Sequence, residues 1–160
     1  MAYENTSVAV DKSQSEIRRI LRKHGADTFQ FGEADIQGTR WAALEFVLDA
    51  TRVRMRVPMS QPDEKAIKAK LSRARSKTRA DFEGEHYEQE ERRIWRVLYW
   101  SIKARMESVE EGVETFHEAW LAHLVDPATG RTLYETAKVA IDRGDLQVGG
   151  PGLPQLMAGS

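Results

Sequence analysis

The chain has no cysteine among its 160 residues. That removes disulfides, thiolate nucleophiles, zinc ribbons and iron–sulfur clusters. It also lacks any run of about 20 apolar residues such as a bilayer-spanning helix needs, so no membrane partner is expected. The opening residues, MAYENTSVAVDKS, have neither the basic start nor the apolar stretch of a secretory signal, which points to the cytoplasm. No serine sits in a Gly-x-Ser-x-Gly elbow, and no glycine-rich loop ends in Lys-Ser or Lys-Thr. No repeat period is visible.

What is present is a globular composition, 41% apolar and 31% charged, of ordinary single-domain length. The net charge of −1 hides an uneven distribution. Residues 1–59 carry nine basic and eight acidic side chains, residues 60–84 seven and four, and residues 85–125 five and nine. Positive charge is concentrated in the middle of the chain.

Hydropathy patterning divides the sequence into a β-α-β-β-β core over 1–59, a basic linker or arm over 60–84, a helical region over 85–144 and a flexible tail over 145–160. Together they predict one α+β domain: a small antiparallel sheet packed on an N-terminal helix, then a helical hairpin and a short last helix. Residues 7–10, SVAV, alternate weakly as a first strand. Ser13 and Glu16 have capping-box spacing and predict a helix start there, with Ile17, Ile20 and Leu21 as its apolar stripe and Gly25 as its stop.

Phe29 and Phe31 suggest a second strand ending near Gly32. RWAALEFVL at 40–48 and RVRMRV at 52–57 read as a β-hairpin across Asp49, Ala50 and Thr51. Side chains alternate along a strand, so Val53, Met55 and Val57 should join Leu44 and Phe46 in the core. Arg52, Arg54 and Arg56 then project from the other face, together with Trp41 and Glu45.

The stretch 60–84 reads as a mobile linker or marginal helix. From His86 to Gly112 an apolar surface that includes Trp95, Tyr99, Ile102 and Met106 predicts a deeply buried helix or one that pairs with another chain. Val113, Phe116, Trp120, Leu121 and Leu124 share a face beyond it, giving one bent helix or two. Leu133, Ala137, Ala140 and Ile141 define the inward side of a last helix that stops at Gly144.

Metal and acid chemistry find little purchase. Glu114 and His117 have the Glu-x-x-His spacing of carboxylate-bridged metal bundles, but only one copy exists. His117 and His123 are six residues apart, which turns them to different helical faces. Glu107, Glu110, Glu111 and Glu114 read most simply as a solvated face, with a metal-dependent nuclease centre as the sharper alternative. No catalytic residue, metal or other cofactor is assigned.

Nucleic-acid binding has firmer support. Arginines two apart on a strand stand about 6.6–6.8 Å apart and form a row able to grip phosphates through paired hydrogen bonds. Lys65, Lys68, Lys70, Arg73, Arg75, Lys77 and Arg79 follow as a basic arm suited to a polyanionic backbone. Trp41, on the arginine face, offers a stacking surface for an unpaired base. The plainer readings are an exposed strand protected from aggregation by charge, and an arm that pairs with the acidic helix after it.

The segments ENTSVAVDKSQSEIRRILRKHGA, FGE at 31–33 and RVLYWSIKARMESVEEGVETFHEAWLAHLVDPATGRTLYE resemble a family of small, mostly uncharacterised proteins of phages and prophages, over residues 3–135. The resemblance implies a host-cell cytoplasmic setting in which such proteins serve DNA replication, recombination or interference with the host. The leading expectation is a non-enzymatic protein that binds single-stranded DNA or recombination intermediates, with homo-oligomers possible. An interaction protein using the Trp95–Trp100 surface is the alternative.

Overall fold

The computed structural model describes residues 1–149. It contains a three-stranded antiparallel meander and five α-helices among those residues. The order is α1 (Val10–Lys23), β1 (Thr28–Ile36), β2 (Thr39–Leu48), β3 (Thr51–Pro58), α2 (Glu64–Arg73), α3 (Arg79–Glu110), α4 (Phe116–Trp120), a 3-10 turn (Leu121–His123) and α5 (Leu133–Arg143). The predicted α+β class is the observed one. The tail assigned to 145–160 lies largely outside the described residues.

Both hairpins turn on two residues, and this fixes register. Gln37 and Gly38 have φ of 53° and 78°, and Asp49 and Ala50 have φ of 48° and 58°. Two consecutive left-handed residues twist the chain as the flanking strands require. Asp35 reinforces the first turn by accepting from the Gly38 amide at 3.1 Å. The resulting register sets Phe31 opposite Leu44, and Leu44 opposite Met55.

One face of the sheet shares a core with α1 and α3. Ile17 and Leu21, Leu44, Phe46 and Val53, and Trp95, Leu98 and Ile102 are its centre. The buried positions of α3 recur every four residues from Glu90 to Met106, a stripe that keeps one side inward along a helix of about 48 Å.

Four expectations need correction. No strand forms at 7–10; Val10 opens α1, so the first 59 residues run α-β-β-β. Ser13 and Glu16 do not cap that helix: Ser13 is buried one turn in, and Glu16 pairs with Arg96 of α3 at 2.5 Å. Packing against α3 has outweighed the local capping signal. For residues 60–84 the loose arm does not hold and the helical alternative does. They fold into α2 and the first turn of α3, started by a reciprocal Thr78–Asp81 capping box. Finally, of the expected inward side of α5, Ala137, Ala140 and Ile141 are only half-buried and Leu133 is exposed, as are Val113 and Leu121.

Beyond α3 the chain turns at Gly112, resolving the one-or-two question in favour of a separate short α4. Trp120 plugs that helix into the core, edge-on to Phe46 at 5.1 Å between ring centres. The chain then returns along the outer edge of β3, where the Val125 amide donates to the Arg52 carbonyl at 2.9 Å. A capping box of Thr132 and Glu135 starts α5 beside the sheet.

Candidate nucleic-acid interface

Strand parity builds this surface. Trp41, Ala43, Glu45 and Val47 of β2 and Arg52, Arg54 and Arg56 of β3 lie on the sheet face opposite the core, as the alternation predicts. Arg54 stands directly across from Glu45, and Arg56 from Ala43. On β1 the same face carries Thr28, Gln30, Gly32, Ala34 and Ile36, all exposed, with Gly32 and Ala34 the small ones across from Ala43 and Trp41.

The arginines are engaged rather than free. Glu45 accepts from Arg52 Nη2 at 2.6 Å through one oxygen and from Arg54 Nε at 2.5 Å through the other. Arg54 also donates to the Gly130 carbonyl at 2.9 Å, and its side chain is 11% exposed. Arg56 lies 3.7 Å from Glu135 and keeps 42% of its side chain in solvent. Burial pushes the Glu45 carboxyl up, but hydrogen bonds and charge from Arg54 and Arg52 outweigh it and hold the group below its usual range. Arg54 is thus a structural clamp, whereas Arg52 and Arg56 present the accessible charge.

The returning chain converts this face into a cup of about 380 Å³. Ile36, Trp41, Arg54 and Arg56 form the sheet side, and His123, Thr132, Tyr134 and Glu135 form the opposite wall. Its volume falls within the roughly 300–1,000 Å³ of small-ligand pockets. A shallower recess adjoins it, sharing Arg54, Arg56 and Glu135 with Arg131 and Val139. At the wall, burial first and the charge of Arg105 second push His123 below its ordinary value, against a raising contact with the Arg54 backbone. Its imidazole is therefore neutral near pH 7.

The structure unites Trp41, Arg54 and Arg56 in one recess, while Arg52 stands beyond it on the same face. The arm residues are elsewhere. Lys65, Lys68, Lys70 and Arg73 lie on α2, Arg75 and Lys77 on the link to α3, and Arg79 begins α3. Lys77 pairs with Glu85, and Arg79 with Glu64 and, at 2.8 Å, with Glu83. Lys70 and Lys77 flank the ring of Phe82 at 5.8 and 5.7 Å. No arm residue lines the cup.

Trp95 is fully buried, so of the Trp95–Trp100 surface it is Trp100 that offers an aromatic ring, 40% exposed and flanked by Arg96 and Lys103. Glu114 accepts from Ser108 at 2.7 Å, and no cluster of three potential metal ligands occurs among the described residues. No helix there is long and apolar enough to cross a membrane. Tyr134, His123, Glu135 and Ile36 are cup residues that the sequence reading missed. No family model, curated protein or solved structure matches the chain.

Proposed function

We propose that this chain is a non-enzymatic, phage-type protein that binds single-stranded DNA, or the single-stranded parts of replication and recombination intermediates, across the outer face of its sheet. The observation that carries the reading is the cup in which Trp41 and Tyr134 share walls with Arg54 and Arg56. Two aromatic side chains supply π-faces for an unstacked base, and the accessible guanidinium of Arg56 in the cup, with that of Arg52 beyond it, suits the neighbouring phosphates while Arg54 holds the wall. An intact duplex keeps its bases stacked and has none to insert. The phage setting rests on the resemblance over residues 3–135.

Fluorescence anisotropy with a labelled oligothymidine tests this across a salt series. Binding should weaken with salt at a slope of about −0.7 per phosphate neutralised. Trp41→Ala should cost roughly 1–3 kcal/mol of affinity, and Arg56→Gln should flatten the salt slope by about one phosphate's share. An absence of binding at low salt, or binding indifferent to both changes, refutes the proposal.

Glu45 gives a prediction of opposite sign. It occupies the exposed Arg52 guanidinium, which a phosphate would otherwise contact, so Glu45→Gln should tighten binding several-fold and steepen the salt slope. Weaker binding by this variant in the same titration would instead mean that Glu45 orients the arginines for the ligand.

A further inference from the structure

We infer that the chain associates with a second copy of itself through β1, joining two meanders into one six-stranded antiparallel sheet. The strand order is β1-β2-β3, and the outer edge of β3 is partly closed by Leu124 and Val125. Along the nine residues of β1 no strand pairs with the outer edge among the described residues. An open edge of that length is a template for another strand.

Register follows from the turn. A two-residue hairpin makes Ile36 and Thr39 a hydrogen-bonded pair, and alternation then turns the amides and carbonyls of Gln30, Gly32 and Ala34 toward β2. Phe29, Phe31, Glu33 and Asp35 direct theirs outward. The same rule, applied to β3, turns Arg52 outward, where its carbonyl does accept from Val125.

An antiparallel pairing centred on Gly32 uses all four outward residues: Phe31 exchanges bonds with Glu33 of the second copy, and Phe29 with Asp35. Gly32 meets its twin at the two-fold axis, where a non-hydrogen-bonded pair brings Cα atoms to about 4.5 Å. The space where a Gly32 side chain would project is empty, and glycine inside a strand marks sites of close backbone approach.

Charge favours this register over the one centred on Glu33. Arg18 sits over Phe31 at 4.7 Å and Arg22 over Phe29 at 5.3 Å, and neither forms an ion pair among the described residues. Glu33 likewise pairs with no cation there. In the register centred on Gly32, Glu33 of the second copy lands beside Phe31 and under Arg18, and Asp35 lands beside Phe29 and under Arg22. Sliding the copies to centre on Glu33 would instead oppose two glutamates. Acids that would repel an arbitrary strand thus meet arginines when the strand is a copy.

The axis is perpendicular to the sheet, so both arginine faces point the same way, with their β3 strands five spacings or about 24 Å apart. That a single ligand could span both faces rests on the DNA-binding reading; the dimer itself does not.

Sedimentation without nucleic acid, from about 1 to 100 μM protein, therefore tests the dimer alone. The mass should rise from 18.2 kDa toward twice that value. Arg18→Glu and Glu33→Arg should each weaken association at least about tenfold by placing like charges together, and the two combined should restore it. Restoration separates a broken interface from a broken fold. A monomer throughout, a dimer indifferent to both single changes, or a dimer that forms only when residues 150–160 are deleted overturns the inference.

Discussion

Replacing Glu90 by alanine is expected to lower the unfolding free energy by about 3–5 kcal/mol, the cost of stranding a buried charge by removing its partner. Glu90 is only 6% exposed. Its carboxylate accepts from Arg93 at 2.9 and 2.6 Å and from the Ser60 amide at 3.0 Å. Arg93 is itself largely buried, and next to Ser60 stands Met59, a core residue whose amide is bound to the Arg40 carbonyl. The carboxylate thus fastens the exit of β3 to the middle of α3. Alanine would leave a guanidinium and an amide unpaired where water has little access. At about 2–4 °C per kcal/mol for a chain of this size, the melting temperature should fall by roughly 10 °C.

The same group dictates an acid response. Burial would push the Glu90 carboxyl up, yet the Arg93 and Ser60 hydrogen bonds and the Arg93 charge bring it down to about 2, from an ordinary 4.5. A group whose folded value is depressed stabilises the fold above its unfolded value and loses that contribution as pH falls through the folded value. Here the window runs from about 4.5 down to about 2, and the contribution is about 3 kcal/mol at 1.36 kcal/mol per unit. Glu90→Gln keeps an acceptor but cannot titrate. Its stability, measured by denaturant unfolding from pH 7 downward, should converge on that of the native chain within this window. Parallel curves would mean that Glu90 is not the titrating link.

Much of the sheet was readable because its chemistry is local. Alternation alone separated Val53 and Met55 from Arg52, Arg54 and Arg56, and it put Trp41 and Glu45 with the arginines. It follows that Glu45 lies within reach of Arg54 across the hairpin; treating the arginines as free overlooked an acceptor already placed on their face. The basic stretch misled for a different reason. Thr78 and Asp81 carry a capping signal, but their surroundings lack an apolar stripe, and Phe82 and Ile67 are the main residues that anchor the stretch. Tyr134, Glu135 and His123 left no comparable trace. They reach the arginine face because Val125 pairs with Arg52, a contact across more than seventy residues that no periodicity announces.

Trp120 anchors that long-range contact together with the buried Leu124 and Val125, and Trp120→Ala should loosen it at a cost of about 3–5 kcal/mol. Trp120 has no solvent exposure and packs edge-on against Phe46, while the guanidinium of Arg105 lies 5.5 Å from its ring centre. The helix carrying it has five residues, too few to persist without tertiary support. Downstream, α5 adds only half-buried side chains, Ala137, Ala140 and Ile141 among them. Losing the indole should therefore loosen residues 116–135 before it unfolds the sheet. Hydrogen exchange tests this: the Val125 and Leu133 amides, bonded to Arg52 and Leu124, should lose protection while the β1–β2 ladder keeps most of its own. Trp120→Phe should recover part of the loss by refilling the site. A uniform rise in exchange would make Trp120 an ordinary core residue. A selective rise makes it the pin for one wall of the cup, so oligothymidine binding should weaken even though Trp41, Arg54 and Arg56 are unchanged.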